Sequence, residues 1–432
     1  MMKSLSLALI VSFVALHWSF AQDTLTVQRA VRYVLAHHPA VAQASENARA
    51  AEARVLESTS ALYPSVTTEA LYTRIGPVQQ LTVPFFGSFK LYPENNYDAH
   101  IGGRYTVYDF GKLDATINLS SSRAQLANDA IDLTKTGLAY QTIRVFYSIL
   151  FVERSIQVQN EQIDALNQHI VIAKKRVAAG AATNFDVLTT QVRVAAAENQ
   201  KIDLENVIEK QQAILRQLMG LPSDVPLRLT GDFEAASPAA SKDSLLQAAY
   251  NQRTEMRLAR DAQQSAELQY KLSSLGKMPS LRLNLNYGVK NGYIPDLNVL
   301  RGNWVAGVMF EFPVFDGGRT DHQEEESQAM VLADQAHLKD VEQQVRSDVD
   351  QAYADLQASS AKVPISQLQV QQATDAVAIA RTRYETGSIT NLDLLDAETA
   401  QSAAKLAHLQ ALYRLVISKY EVEQAIGAMP ME

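Results

Sequence analysis

The 432-residue sequence predicts a mainly α-helical protein with an internal two-fold repeat, in which each repeat also contributes a pair of membrane β-strands. Three observations predict this fold class: an N-terminal export signal, series of alternating polar and apolar residues, and two landmarks that recur 207 residues later in the chain. After the N-terminus no segment approaches the roughly 20 continuous apolar residues that a membrane-spanning helix needs. We therefore expect any membrane part of the mature chain to consist of strands.

The N-terminus resembles a secretory signal peptide that covers residues 1–21. Lys3 supplies the positive charge, an apolar stretch runs from Leu5 to Leu16, and small residues lie just before Gln22. The mature chain is therefore expected to begin near Gln22 and to be exported.

Composition and charge narrow the classes of function. Hydrophobic residues make up 47% of the chain, charged residues 20%, and the formal net charge is −8. Basic residues form no tract, so no nucleic-acid partner is expected. The chain has no cysteine, which excludes disulfides, thiolate metal sites and a cysteine nucleophile. The eight histidines show no ligand spacing, and we expect neither a metal site nor another cofactor.

Two landmarks reveal the internal repeat. "GAATNFDVL" from Gly180 aligns with "GSITNLDLL" from Gly387, and "YDFGK" from Tyr108 aligns with "FDGGR" from Phe315. Both alignments use the same shift of 207 residues, so the segments between the landmarks have equal length in the two halves. The chain is therefore predicted to contain two structural copies of one unit.

Each copy is predicted to contain an opening helix, a strand hairpin, a long helix, a tip and a return helix. The first repeat covers residues 22–220 and the second covers 244–432, with a proline-rich linker at 221–243. Helix-like segments over Val27 to Glu57 and over Ser244 to Leu275 are predicted to open the two repeats.

The strand hairpins, residues 65–109 and 281–315, follow from a sequence period of two. The clearest strand runs from Leu281 to Lys290, where leucine, tyrosine and valine alternate with arginine, asparagine and glycine. Alternating strands of about ten residues behind an export signal are typical of an outer-membrane barrel wall. Four strands cannot enclose a lumen, and lipid does not tolerate open sheet edges. We therefore expect several chains to share one barrel.

The connections inside the two strand hairpins are expected to lie outside the cell. They run from Ile75 to Tyr97 and from Asn291 to Gly302. The first is the longer connection and is predicted to be a loop that folds over the mouth of the pore.

The long helices are predicted over Lys112 to Ala179 and over Arg319 to Thr386. Apolar residues recur in both every seven positions, the spacing that specifies left-handed coiling of packed helices. At 1.5 Å per residue each helix would be about 100 Å long if unbroken. Pro364 should kink or loosen the second helix, because proline lacks an amide donor and crowds the preceding turn.

The tips carry the most informative polar residues. Asp186 and Asp393 lie in the first turn of the return helices after Thr-Asn, where a carboxylate caps exposed amides and favours the positive helix end. Capping alone explains one acid per repeat. It does not explain Asp396, whose counterpart is Thr189 and which shares a helical face with Asp393.

Together these features resemble the TolC-like outer-membrane efflux protein family, also called outer-membrane factors, over essentially the whole mature chain. The most specific local match is the tip motif Y-x-x-G-x-x-x-x-x-D-x-L-D-A, from Tyr384 to Ala397. The resemblance implies a homotrimer whose shared twelve-stranded outer-membrane β-barrel continues into a long periplasmic coiled-coil barrel. It also implies three partners: outer-membrane lipid, a periplasmic adaptor (membrane-fusion) protein and an inner-membrane transporter.

The resemblance also implies roles for the tip residues. Asp393 and Asp396 match a cation-attracting ring at the periplasmic gate, where gathered like charges should raise some carboxyl pKa values. Asp186 and Tyr384 match a gate latch, but the sequence departs from the family at Phe185 and at Ile389, where a basic latch partner is missing. The expected adaptor-docking tips are Gly180, Ala181, Thr183, Asn184, Gly387, Ser388, Ile389, Thr390 and Asn391.

The sequence therefore predicts an outer-membrane exit duct of a tripartite efflux or secretion system, gated at its periplasmic tips. One alternative is a secreted coiled-coil structural or adhesive protein whose hairpins form a soluble sheet. An enzyme is a third interpretation, and it finds no nucleophile, metal cluster or phosphate loop in the sequence to support it.

Overall fold

The computed structural model describes residues 24–233 and 241–430. The predicted signal peptide and part of the predicted linker, residues 234–240, lie outside the described residues. The chain divides into two compact units. Within the described residues the first unit comprises 24–45, 129–257 and 340–430, and the second comprises 46–128 and 258–339.

Helices and strands follow one another twice in the same order, except that the first series contains two additional short strands, its second and third. The first series is α1 (Val27–His37), α2 (Pro39–Ser60), β1 (Ser65–Arg74), β2 (Gln80–Val83), β3 (Gly87–Lys90), β4 (Asn95–Tyr108), α3 (Lys112–Ala178) and α4 (Asn184–Met219). The second is α5 (Lys242–Gln252), α6 (Thr254–Ser274), β5 (Ser280–Lys290), β6 (Arg301–Glu311), α7 (Arg319–Glu385) and α8 (Asn391–Ala425). Across the described residues, no helix combines the length and the apolar character needed to cross a membrane.

Each predicted opening segment is helical but consists of two helices, because the chain leaves helical geometry at His38 and at Arg253. His38 is extended, with ψ of 129°, because the ring of Pro39 disfavours helical geometry in the preceding residue. Arg253 is extended with ψ of 127° and has no proline after it. Its guanidinium is instead held by carboxylates of Glu255 and Asp348, at 3.2 and 2.6 Å.

The long helices α3 and α7 begin at two equivalent strand-to-helix turns. Asp109 accepts hydrogen bonds from the amides of Gly111 and Leu113, at 3.1 and 2.8 Å. Asp316, its counterpart 207 residues later, makes the two equivalent bonds at 3.2 and 3.1 Å. Helix α7 continues through Pro364 without interruption.

The core of the first unit lies where α1, α3, α4 and α8 pack together. Phe146 and Ile149 of α3 are fully buried there, with Leu215 of α4 and Val416 of α8. Burial of such side chains is the main favourable contribution to folding. The N-terminal segment joins this core through Leu25, which pairs in parallel with Leu229.

The second unit contains one four-stranded antiparallel sheet in the order β1-β4-β5-β6. Strands β4 and β5 pair from Asp98–Lys290 to Tyr108–Leu281, so the two hairpins form one continuous sheet. The predicted alternation is present. One face carries apolar side chains that are largely exposed within the single chain, namely Val66, Ile101, Tyr105, Leu283, Leu285, Tyr287, Trp304 and Val308.

The connection between β1 and β4 forms a second, smaller hairpin where the sequence predicted a loop. Strands β2 and β3 pair from Gln80–Lys90 to Val83–Gly87. Phe85 and Gly87 adopt positive φ values of 71° and 89° in the turn, which allows the tight reversal. Four-residue strands are too short to produce a convincing alternating pattern, which explains why sequence analysis missed them.

Candidate functional site at the helix tips

The two helix tips have the same backbone geometry. Gly180 and Gly387 adopt positive φ values of 70° and 77°, a conformation that glycine reaches without strain. The amides of Ala181 and Ser388 then donate to the carbonyls of Arg176 and Arg383, each at 2.8 Å, and close the last turns of α3 and α7. Each tip therefore reverses the chain in a few residues and leads directly into a return helix.

Both return helices begin with a capping box. The Thr183 amide donates to the Asp186 carboxylate, and the Thr390 amide to the Asp393 carboxylate, each at 2.9 Å. The Thr390 hydroxyl also donates to Asp393, at 2.7 Å. The hydrogen bond from this hydroxyl, followed by that from the Thr390 amide, lowers the pKa of Asp393. Within one chain the pKa of Asp393 is thus lowered, whereas a ring of like charges is expected to raise carboxyl pKa values.

Asp396 makes a different contact. Its carboxylate lies 3.1 Å from a guanidinium nitrogen of Arg193 on α4, and another nitrogen of Arg193 donates to Thr399 at 3.2 Å. Asp396 remains well exposed. The acid that lacks a counterpart in the first repeat is thus the one that binds a cation from the first repeat.

Tyr384 is buried against the first repeat. The Arg176 guanidinium lies 4.5 Å from its ring centroid and donates to its carbonyl oxygen. Burial raises the pKa of Tyr384, the positive charge of Arg176 opposes this, and the negative charge of Asp186 adds to it. Among the described residues, the Tyr384 hydroxyl has no hydrogen-bond partner, and no bond joins it to Asp186.

Two basic residues of the first repeat contact the second tip at positions other than Ile389. Arg176 and Arg193 lie on the two first-repeat helices, and neither was selected by sequence analysis. The signal was available in the repeat alignment: Arg193 corresponds to Ala400, a departure between otherwise similar copies. Phe185, the other departure from the family pattern, is exposed.

One predicted docking residue is not accessible. Asn391 is 7% exposed, whereas its counterpart Asn184 is exposed, as are Gly180, Ala181, Thr183, Gly387, Ser388 and Thr390; Ile389 is half-buried. The prediction that Asn391 belongs to the exposed tip is therefore wrong for this chain. The cause is that its side-chain amide is held between three polar groups of α3 and α4.

Glu398, about two turns beyond Asn391 on α8, is a buried acid that sequence analysis did not select. It is 5% exposed and accepts a hydrogen bond from Arg381 at 3.3 Å. Its other carboxylate oxygen is buried, with no hydrogen-bond partner among the described residues. Burial raises the pKa of Glu398, and the nearby charges of His169 and Arg381 oppose the shift.

The repeated tips, the two pairs of long and return helices, and the sheet with an exposed apolar face together define an outer-membrane channel chain. A family model described as "Outer membrane efflux protein" matches residues 30–221 and again residues 245–428. The chain belongs to the outer membrane efflux protein family. It lies in the outer membrane with a periplasmic helical extension, and its family is one of transport channels rather than enzymes.

Individual relatives agree with this assignment. The chain is 22% identical to the outer membrane protein TolC of Vibrio cholerae over 319 residues, which is 73% of each chain. Its fold is similar to that of VceC of Vibrio cholerae, with a TM-score of 0.80 at 19% identity over 93% of this chain and 96% of the other. The Campylobacter jejuni CmeC channel gives a TM-score of 0.81 at 16% identity, over 94% and 87% of the two chains.

These findings establish the general function. The chain is an outer-membrane exit duct of the kind used in efflux and secretion, and channels of this type are trimers that work with efflux systems.

Proposed function

We propose that the duct is gated at its helix tips and that the gate is held by cations of the first repeat acting on the second. The observation that carries this proposal is the pair of contacts Arg176–Tyr384 and Arg193–Asp396. Both join the α7–α8 tip to the α3–α4 tip. Separating the tips breaks both contacts, while neither contact ties together helices of one repeat.

Planar-bilayer conductance of the purified trimer tests this proposal. The double variant Arg176→Ala with Arg193→Ala removes both contacts, so its conductance should rise several-fold above that of the parent. Lys175→Ala is the matched control, because it removes an exposed positive charge next to Arg176. Equal conductance in the double variant and the control would exclude this gate.

The proposal also covers the assembly in which the duct works. Three identical chains each contribute four strands to a twelve-stranded barrel in outer-membrane lipid. The tips of this homotrimer bind a periplasmic adaptor, which links it to an inner-membrane transporter. The tip residues that are exposed, among them Ala181 and Ser388, support this role.

Site-specific cross-linking tests adaptor docking, and the absence of cysteine makes the chain well suited to it. Cysteines placed at Ala181 or Ser388 should cross-link to an adaptor co-expressed in the periplasm. Glu209→Cys, an exposed site further along α4, is the control and should not react with it. Cross-linking of equal yield at all three positions would contradict docking at the tips.

A further inference from the structure

A buried polar contact links the two repeats directly beneath the tips. His169 of α3 is 2% exposed and lies between Leu166 and Ala173, which are also buried. Its Nε2 atom lies 2.5 Å from the side-chain oxygen of Asn391, the first residue of α8. The cations of the proposed gate are partly exposed, but this pair is enclosed by protein.

The partners of Asn391 determine which group donates. Its amide nitrogen lies 3.3 Å from the carbonyl oxygen of Asp186 and 3.3 Å from the hydroxyl of Thr189, both on α4. A backbone carbonyl can only accept, so the amide nitrogen must face it. The side-chain oxygen of Asn391 is then left to accept from His169, which must carry its hydrogen on Nε2.

All four tip helices meet at this contact. The His169 ring also packs on the ring of Tyr384 of α7, with centroids 5.0 Å apart and planes at 32°. The hydrogen bond between His169 and Asn391 thus joins α3 to α8. The amide of Asn391 also bonds α4, and the histidine ring also packs on α7. Any movement of one tip away from the other must break the bond between His169 and Asn391.

The choice of polar side chains suits a contact that has to open. An apolar pair of the same size would hold the helices together without directional preference, whereas buried polar groups favour the one arrangement that satisfies them. Once water enters, it replaces the lost hydrogen bonds, so the net contribution of each bond is modest. The repeat alignment agrees, because His169 corresponds to Ala376, where no such contact is needed.

We propose that His169 and Asn391 form a clasp between the repeats, which closes the tips by a hydrogen bond and releases when the gate opens. This inference rests on the proposed function, since it assigns two positioning residues to the same gate. Unlike the contacts of Arg176 and Arg193, the clasp lies inside the helix bundle and is a hydrogen bond to the neutral side-chain amide of Asn391.

Single-channel recording of the full-length trimer tests the clasp. His169→Leu keeps similar volume and removes the donor, and the fraction of open channels should rise about fivefold, the shift expected from losing one hydrogen bond of ordinary strength. His169→Gln retains an amide donor and should restore the parent behaviour. Asn391→Leu combined with His169→Leu also removes the two bonds from Asn391 to α4, so it should open the channel at least as far as His169→Leu alone.

Gln159→Leu is the matched control. Gln159 is as buried as His169 and lies on the same helix, but it donates to the Ala197 carbonyl of α4 at 3.1 Å, within the first repeat. This variant should leave the open fraction unchanged. Heat-modifiable migration on gels, recorded for every variant, confirms that the trimers compared are folded.

The outcomes separate the clasp from the gate. Parent-like opening of His169→Leu in folded, conducting trimers would overturn the clasp alone, as would equal opening by His169→Leu and His169→Gln. If neither these variants nor the Arg176→Ala, Arg193→Ala double variant changes conductance, the gate at the tips fails as well.

Discussion

At the residue scale, the tip acids make contacts within the chain, and we propose that they also form a ring with those of neighbouring chains. Asp393 caps α8 through Thr390, and Asp396 pairs with Arg193. Both side chains nevertheless lie on the exposed side of α8, whereas Leu394 and Leu395 are buried. A carboxylate that accepts two hydrogen bonds remains negatively charged, so capping is compatible with a contribution to a ring.

If Asp393 and Asp396 form such a ring, removing their charge while retaining the helix cap should change the ion selectivity of the channel. Asp393→Asn with Asp396→Asn preserves acceptor oxygens, and the purified trimer should lose most of its preference for cations over anions. The reversal potential in a salt gradient measures this. Thr390→Ala is the control, because it removes the capping hydroxyl without changing charge. An unchanged reversal potential in the double variant would remove the ring.

Glu398 predicts a pH dependence of local stability. Its folded pKa is raised above 4.5, mainly by burial, so the folded state binds the proton more tightly than the unfolded state. The resulting stabilisation is present below pH 4.5 and is lost as the pH rises through the folded pKa. Asp393, whose pKa is lowered from 3.8, contributes its full stabilisation above pH 3.8 and loses it only at lower pH, so it does not titrate in this window.

Hydrogen exchange at the start of α8 measures this effect. Protection should increase as the pH is lowered from 7 towards about 4.5, after correction for the intrinsic exchange rate, and Glu398→Gln should abolish the increase. Glu385→Gln, at an exposed tip position, should behave as the parent does. A pH dependence that persists in Glu398→Gln would assign the titration to another group.

At the element scale, sequence analysis succeeded where one segment determines its own structure. The long helices end one residue before the predicted positions, Ala179 and Thr386, because a glycine cap is a local signal. The break at His38 could have been predicted from Pro39. The break at Arg253 has no proline after it to signal it, and one carboxylate that holds its side chain lies on α7, distant in sequence.

The break at Arg253 also explains a packing requirement at the end of α8. A Cβ atom on Gly427 would lie 2.5 Å from the Arg253 Cα, and Gly427 has a φ of 79°. Gly427→Ala should therefore combine conformational strain with steric overlap and destabilise the chain by about 2–4 kcal/mol. The thermal midpoint of trimer dissociation on gels measures this loss.

Gly220→Ala is the control for strain alone. Gly220 ends the first return helix with a φ of 66°, and no atom lies within 4 Å of a Cβ built there. The Gly220→Ala variant should lose roughly 1–2 kcal/mol of stability, the strain expected of a residue in the left-handed conformation. Equal midpoints for the two variants would show that overlap with Arg253 has no energetic consequence.

The same distinction between local and long-range signals applies to the candidate site. The capping acids Asp186 and Asp393 follow from short sequence patterns. Arg176, Arg193 and His169 were missed because their partners lie more than 200 residues away in the chain. Differences between the aligned repeats mark Arg193, which corresponds to Ala400, and His169, which corresponds to Ala376. Arg176 corresponds to Arg383, so the alignment gives no signal for it.

At the scale of the whole molecule, the sheet is the feature that requires other copies of the chain. In the described residues β1 and β6 form its edges, each paired on one side only. Open edges are not stable in lipid, because every backbone polar group there needs a partner. Pairing of β1 of one chain with β6 of the next satisfies both edges in a closed trimer.

The two faces of β6 allow this arrangement to be tested with neighbouring residues. Val308 pairs with Leu283 on the apolar face, and Val305 pairs with Asn286 on the polar face. If the apolar face meets lipid, Val308→Arg places a charge there at a cost of about 2–4 kcal/mol near the bilayer midplane. Val305→Arg adds the same side chain towards the lumen, where water solvates it.

The amount of heat-modifiable trimer in isolated outer membranes should consequently fall sharply for Val308→Arg and stay near the parent level for Val305→Arg. A soluble sheet of a secreted adhesive protein would behave differently, because both faces would then meet water or protein and neither variant would affect membrane insertion. Equal trimer levels in the two variants would therefore favour that alternative, whereas the opposite ranking would mean that the lipid-facing and lumen-facing sides have been exchanged.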